Sequence, residues 1–291
     1  MNFLFTGDQR LFQRTVREFL EKECPPEFVR ASGAARGDGS SEPWKGLARL
    51  GVLGVTVPER HGGLGGDEID LVLLLEEAGR AALPEPLVET TAVAAPIVRE
   101  AAPDEFAEEW QPRIGSGEAI GRTTGGALWI RSAGSREEAA VPGARPDEVF
   151  DRAAFGTAAV LCGIADRVIE MGTNYAKERH QFGKPIGSFQ AVKHLLADAL
   201  LGLTFARPAV YRAAWSIATG DPARERDVSM AKALASDAAF VACRAALQVH
   251  GAIGYTHEHD LHLWLNKGFA LANAWGTAAW HRERVARAIL G

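Results

Sequence analysis

The chain has 291 residues, enough for one large or two modest domains with a real core, and its net charge of -5 argues against a basic nucleic-acid-binding surface. Three scattered cysteines, Cys24, Cys162 and Cys243, have no metal-ligand spacing and form no secreted disulfide framework, so they read as buried free thiols. Met1 to Thr6 shows no basic-then-apolar leader, and no apolar run approaches the roughly 20 residues that span a bilayer, so the expected protein is cytoplasmic with no membrane partner.

Thr6 and Asp8 offer N-cap and first-turn chemistry for a helix through about Glu23. Leu11, Phe12, Val16, Phe19 and Leu20 form its apolar stripe, and Pro25-Pro26 stops it. A shorter helix is expected from Pro43 to Leu50. The run His61-Gly62-Gly63-Leu64-Gly65-Gly66 reads as a turn, because no alternating strand–helix series surrounds it to make a dinucleotide loop. Asp67 then caps a strongly apolar helix through Leu83. Pro84 and Pro86 break it, a further helix is expected from Leu87 to Ala101, and Pro103-Asp104 starts a short one.

Between about Gly115 and Arg145 glycine becomes frequent, and short apolar pieces such as Ala127-Leu128-Trp129-Ile130 alternate with turn residues. Two or three short strands fit there; an independent barrel does not. Helical periodicity then returns, with helices expected at 147–178, 188–218, 222–250 and 257–289. Ile186, Phe189, Val192, Leu196, Ala199 and Leu203 recur at spacings of three and four, a core-facing stripe. Helices of roughly 30 residues are about 45 Å long, and several in succession imply a bundle. The chain thus reads as mostly α, divided as a helical domain at 1–112, a short middle segment at 113–146 and a bundle at 147–291.

Two segments carry the chemistry. The first is Tyr175-Ala176-Lys177-Glu178-Arg179-His180-Gln181-Phe182-Gly183, continuing through Phe189-Gln190. Arg179 is a permanent cation whose rigid fork suits a diphosphate, Phe182 can pack on a flat ring, and Gly183 permits a tight helix exit. The second is Gln248-Val249-His250-Gly251-Ala252-Ile253-Gly254-Tyr255-Thr256, in which the glycines permit close approach and Gln248 adds amide hydrogen bonds. Either segment alone reads as an ordinary helix end. His257, His259 and His262 follow, but no nearby Cys completes a metal site, so they read as surface or interface histidines and no metal is expected.

Taken in order, with Leu50-Gly51-Val52-Leu53-Gly54-Val55-Thr56-Val57-Pro58-Glu59 and the glycine turn upstream, these segments resemble the acyl-CoA dehydrogenase family. The resemblance implies a helical N-terminal domain, a C-terminal helical bundle and a flavin adenine dinucleotide (FAD) shared across a subunit interface. By that resemblance Arg179, Phe182, Gln190, Gln248, Gly251 and Gly254 contact FAD held mainly by a neighbour, with Ala252 standing where a second glycine is usual.

The departures from the family matter as much. The family's reaction needs a carboxylate base beside the carbon alpha to the thioester. At the two customary positions of that glutamate stand Trp275, in Ala274-Trp275-Gly276-Thr277, and Ala153. Asp151 lies near the second position but is offset around the helix and reads as a helix-dipole partner. The β middle domain that cradles the flavin ring is severely truncated. Together these features imply a base-less subunit resembling those of actinobacterial heteromeric, steroid-degrading acyl-CoA dehydrogenases. Its expected partner is a full-length acyl-CoA dehydrogenase-like subunit in an α2β2 assembly. The partner would bind most of the acyl-CoA, and electron-transfer flavoprotein or a similar acceptor would reoxidise the flavin. Two other readings are a self-sufficient homo-oligomer with a displaced base, Asp151 or Glu283, and a helical scaffold that has lost FAD.

Overall fold

A computed structural model describes residues 4–33 and 37–291; residues 1–3, part of the segment read as lacking a leader, lie outside the described residues. Helix α1 (Gly7–Glu23) begins with a reciprocal cap: Thr6 Oγ1 accepts from the Gln9 amide at 3.2 Å, and Gln9 Oε1 accepts from the Thr6 amide at 2.8 Å. Val16 and Leu20 are buried. Pro25-Pro26 stops α1 as expected, but Pro26 also opens a short helix, α2 (Pro26–Ser32), because its fixed φ and missing N–H suit a first helical turn. Helix α3 (Glu42–Arg49) is capped by Ser41, whose hydroxyl accepts from the Trp44 amide at 3.2 Å.

The glycine run is a compact turn in which a Cβ on Gly63 would collide with the Val57 carbonyl. Asp67 caps α4 (Glu68–Arg80) through its carboxylate, at 2.7 Å from the Ile69 amide. The helix expected over Leu87–Ala101 is present but not uniform: Val88–Ala94 is wound as a wide π turn before α5 (Ala95–Ala101). Pro96 cannot donate to the carbonyl four residues back, so one regular hydrogen bond is missing where the winding changes. There Thr90 Oγ1 accepts from the Gly121 amide at 3.1 Å and ties the turn to the first strand. Helix α6 (Asp104–Gly115) precedes the sheet.

That sheet is an antiparallel meander of three short strands, β1 (Ala119–Thr124), β2 (Ala127–Ser132) and β3 (Glu138–Ala140). Gly125 and Gly126, with φ of 59° and 83°, supply the two left-handed residues of the tight turn between β1 and β2. It is far less than a barrel, as expected.

Helix α7 (Pro146–Glu178) leads to a hairpin of β4 (His180–Gln181) and β5 (Lys184–Pro185), then to α8 (Gln190–Ala218) and α9 (Arg224–His250). Alanine-rich α9 is the hub of the bundle and packs on α7, α8 and the last two helices. The expected helix 257–289 is two helices, α10 (Leu261–Asn273) and α11 (Ala278–Leu290). Trp275 and Gly276 are consecutively left-handed, with φ of 56° and 89°, which no helix can contain. Thr277 then caps α11, its hydroxyl accepting from the Trp280 amide at 3.3 Å. In the predicted stripe on α8, Ala199 and Leu203 are buried, whereas Ile186, Phe189, Val192 and Leu196 are only half-buried.

The N-terminal helices are locked to the bundle where α4 crosses α7. A Cβ on Gly79 would strike the Val160 carbonyl, and one on Gly163 would strike that of Glu76. Charged groups seal the same seam: Arg152 pairs with Glu68, Arg207 with Glu76 at 3.0 Å, and Arg80 with Asp166 and Glu170.

Candidate functional site

The C-terminal ends of α7 and α9 meet. Gly172 lies at their contact: a Cβ there would be in ordinary contact with the Ala246 Cα at 3.5 Å and would press on Leu196 Cδ2 at 3.2 Å. One turn further the Tyr175 ring stacks on His250 at 4.4 Å, and His259 closes edge-on to His250 at 4.5 Å. His250 Nδ1 donates to the Ala246 carbonyl at 2.7 Å, which leaves Nε2 as the unprotonated nitrogen. Burial holds the His250 imidazole below the ordinary histidine range.

Just beyond Tyr175, α7 ends at Arg179, whose carbonyl accepts from Ile186 N at 2.8 Å and closes the β4–β5 hairpin. Phe182 and Gly183 form its two-residue turn with φ of 53° and 76°. Phenylalanine in the left-handed region costs about 1–3 kcal/mol, so the residue is held there against its preference. Its ring is 90% exposed and touches only the edge of Phe189, at 6.2 Å between centroids. Arg179 is exposed and forms no ion pair among the described residues. Gln190 opens α8, exposed, with its side-chain amide 3.4 Å from His194 Nε2.

From the other helix, Gln248 is exposed in the last turn of α9. Gly251 (φ 64°) ends that helix with nothing within 4 Å of its Cβ position, so its backbone is open to a ligand. Gly254 differs: it is buried, and a Cβ there would press on the His250 Cβ at 3.0 Å, so it serves the local packing. The structure thus brings both segments to one end of the bundle through the Tyr175–His250 stack, a contact that neither segment announces in the sequence. Two of these groups are donors that suit a dinucleotide's phosphates, the Arg179 guanidinium and the Gln248 amide, and the open backbone at Gly251 permits close approach. A flat ring laid on Phe182 would need its other wall from another molecule, because Phe182 stands 90% exposed.

The two residues expected at the customary base positions are packing groups. Ala153 is fully buried among Val57, Val93 and Ile97. Half-buried Trp275 packs edge-on to Phe150 at 6.0 Å. Asp151 is a correction: it is no dipole partner but a buried anion, held by Arg284 at 2.6 Å with Arg224 at 3.6 Å. Burial pushes its carboxyl up, although Arg284 and Arg224 oppose that. Glu283, the other displaced-base candidate, is exposed on α11 opposite Arg287 at 4.0 Å.

Sequence reasoning missed the groups that hold the Trp275 turn. Lys232 is completely buried and donates to Ser236 Oγ at 3.0 Å and to the carbonyls of Ala272 and Gly276 at 3.1 and 3.3 Å. Burial without a carboxylate lowers its pKa to about 8. A lone lysine on an alanine-rich helix was the available signal. His281, also fully buried, donates from Nε2 to the Trp275 carbonyl at 2.7 Å. Burial lowers its pKa to about 4. Below pH 6.5 an unfolded His281 takes a proton that the folded one refuses, so its contribution is complete above about pH 6.5 and falls away toward pH 4. The loss is on the order of 3 kcal/mol. Denaturant unfolding across that window is expected to show it, and His281→Asn to flatten it.

Of the histidines read as surface groups, His259 Nδ1 accepts from the Leu261 amide at 3.2 Å, and His262 Nδ1 donates to the His259 carbonyl at 2.8 Å. Among the described residues no three His, Cys, Asp or Glu side chains gather as a metal site. Cys24, Cys162 and Cys243 are buried free thiols, and burial raises all three. No helix among the described residues is long and apolar enough to cross a membrane.

Comparison with known proteins agrees with the fold. The family model "Acyl-CoA dehydrogenase, N-terminal domain" matches residues 6–118, and "Acyl-CoA dehydrogenase, C-terminal domain" matches 145–290, leaving the small sheet between them. Acyl-CoA dehydrogenase IpdE2 of Mycobacterium tuberculosis is 30% identical over 91% of this chain and 92% of that protein, so it shares the short length. One chain of the Mycobacterium tuberculosis ChsE4–ChsE5 complex has the same fold, with a TM-score of 0.83 and 21% identity over 100% of this chain and 99% of that one. So does a chain of a Tcur3481–Tcur3483 steroid ACAD variant, with a TM-score of 0.82 and 23% identity over 97% of this chain and 98% of that one.

Proposed function

Starting from the fact that the chain belongs to the acyl-CoA dehydrogenase family, we propose that it is the half-site subunit of a heteromeric, FAD-dependent enzyme that desaturates a CoA thioester. One observation carries the proposal. Exposed Arg179, Phe182, Gln190 and Gln248, with open Gly251, lie at one end of the bundle, while both customary base positions hold packing residues, Trp275 and Ala153. Gly254 supports the same helix end from beneath. The parts that reach toward a cofactor are kept and the proton-abstracting part is absent.

In this reading Arg179 and Gln248 bind the diphosphate of FAD, and Phe182 covers one face of the bound molecule. The flavin, when bound, supplies the hydride acceptor. The partner is a full-length acyl-CoA dehydrogenase-like subunit in an α2β2 assembly, contributing the base, the barrel and most of the acyl-CoA contacts. Electron-transfer flavoprotein or a similar acceptor takes the electrons, and the assembly works in the cytoplasm. A steroid side-chain thioester is the substrate class favoured by the steroid ACAD relative. The chain divides as helical domain 1–112, middle segment 113–146 and bundle 147–291. No observation favours the homo-oligomer with a displaced base, since Asp151 is clamped by two arginines and Glu283 lies exposed.

The test is expression alone and with the partner subunit, measuring flavin absorbance, assembly mass and turnover. The chain alone is expected to retain no flavin and turn over no acyl-CoA, and the pair to do both. Stable flavin and turnover from this chain alone sink the proposal. In the pair, Arg179→Ala is expected to lower flavin retention by at least about tenfold, the value of one charge-assisted contact of 1.5–3 kcal/mol. Unchanged flavin content removes the role given to Arg179.

A further inference from the structure

A cavity of about 300 Å³ lies where α1, α4, α7 and α10 meet, and it shares no residue with the segments that carry Arg179 and Gln248. Pro25 and Pro26 line it where α1 ends and the chain turns into α2. Trp264 of α10 donates from Nε1 to the Arg80 carbonyl at 2.8 Å, which ties the end of α4 to α10 at the same place. Leu20, Cys24 and Trp264 give the cavity an apolar floor, each of them no more than 4% exposed. Burial pushes the Cys24 thiol up to about 12, so it stays neutral and adds no charge to that floor.

Three guanidinium groups complete the lining, and two of them have N–H groups to spare. Arg80 is committed to Asp166 and to Glu170 at 2.6 Å, two carboxylates that lie outside the lining. Arg17 spends Nε and Nη2 on Glu77 at 2.8 and 2.7 Å, and its Nη1 has no partner among the described residues. Arg167 gives Nη1 to Glu170 at 3.0 Å, rests over the Trp264 ring at 5.6 Å, and has no partner for Nε and Nη2 among the described residues. The Arg17 and Arg167 side chains are 38% and 33% exposed, so these N–H groups can be reached from solvent. Glu21, also in the lining, is exposed and forms no ion pair among the described residues.

Unengaged guanidinium donors beside a buried apolar floor suit an anion with an apolar tail. An apolar cavity of about 150 Å³ holds benzene, so about twice that volume takes a tail of roughly six to eight carbons with its head group. The Glu21 carboxylate opposes a second negative charge, which favours a monoanion over a phosphate dianion. We propose that this cavity binds a medium-chain monocarboxylate, with the unengaged N–H groups of Arg17 and Arg167 on its carboxylate and Leu20, Cys24 and Trp264 against its tail. A ligand seated there touches α1, α4, α7 and α10 at once and so stabilises the junction between the N-terminal helices and the bundle.

The test uses octanoate as the probe, with octan-1-ol and acetate as controls, titrated calorimetrically into the full chain. Octanoate is expected to bind one-to-one. Octan-1-ol, which lacks the charge, and acetate, which lacks the tail, are each expected to bind at least about tenfold more weakly. Arg167→Gln should weaken octanoate by about tenfold, and Arg167→Lys should fall between it and wild type, because it keeps the charge and loses the fork. Glu21→Gln, a change at an exposed side chain, should tighten octanoate by a few-fold, and added salt should erase that gain. No saturable binding overturns the proposal, as does octan-1-ol binding as tightly as octanoate. So does an octanoate affinity that Arg167→Gln and Glu21→Gln both leave unchanged in folded protein, because the ligand then sits elsewhere. None of these readouts involves flavin, so this inference and the half-site reading fail separately.

Discussion

Asp151→Ala is expected to cost about 3–5 kcal/mol of unfolding free energy, the usual penalty for removing one partner of a buried charge pair. The carboxylate is almost wholly buried on α7, and it holds Arg284 of α11 at 2.6 Å and faces Arg224 of α9 at 3.6 Å. Without it, Arg284 is left with Glu225 at 3.1 Å and Arg224 with Glu148 at 3.8 Å, neither of them buried as Asp151 is, and Phe150 and Trp280 lie close to Arg284. The variant separates two views of this residue. A displaced base changed to asparagine would leave the fold intact and abolish turnover. A structural anion changed the same way leaves turnover per bound flavin within a few-fold in the folded assembly and lowers the unfolding midpoint. The ion-pair geometry predicts the second outcome, and denaturant unfolding of Asp151→Ala and Asp151→Asn beside assembly turnover checks it.

Much of the fold was legible because its signals are local. Thr6 and Asp67 each cap the helix that their position in the sequence predicts, and Gly125-Gly126 makes the turn that separates two short strands. Signals that depend on tertiary context were not. The break between α10 and α11 lies at a tryptophan forced left-handed, and propensity gives no warning of it. Its supports, Lys232 and His281, lie more than forty residues apart in the chain. The π turn before α5 and the role of Asp151 likewise appear only once neighbouring elements are in place. The candidate site divides the same way. Arg179 and Gln248 were visible as residue types in motifs, while the Tyr175–His250 stack that joins their helices belongs to the packed bundle.

Placing a carboxylate at position 153 or 275, the two expected for the family's base, should damage this chain without making it an enzyme. In Ala153→Glu the new group enters a site of zero exposure within the apolar cluster that holds Val57, Val93, Ile97 and Val149. An isolated carboxylate in such surroundings either stays protonated or opens the core, and with the overpacking the loss should exceed about 3 kcal/mol. Trp275→Glu is the gentler case. Position 275 is half-buried, and the change forfeits the Phe150 contact while the left-handed backbone remains held by Lys232 and His281. A loss nearer 2–3 kcal/mol is expected there, below the full cost of deleting a completely buried tryptophan. In neither variant does the chain alone gain turnover, because a base also needs a flavin ring against the opposite face of the substrate. The three short strands at 119–140 supply no such cradle. Acyl-CoA-dependent bleaching of flavin by Trp275→Glu in the absence of a partner would overturn this account. It would mean that a carboxylate at position 275 suffices for the chemistry without a barrel.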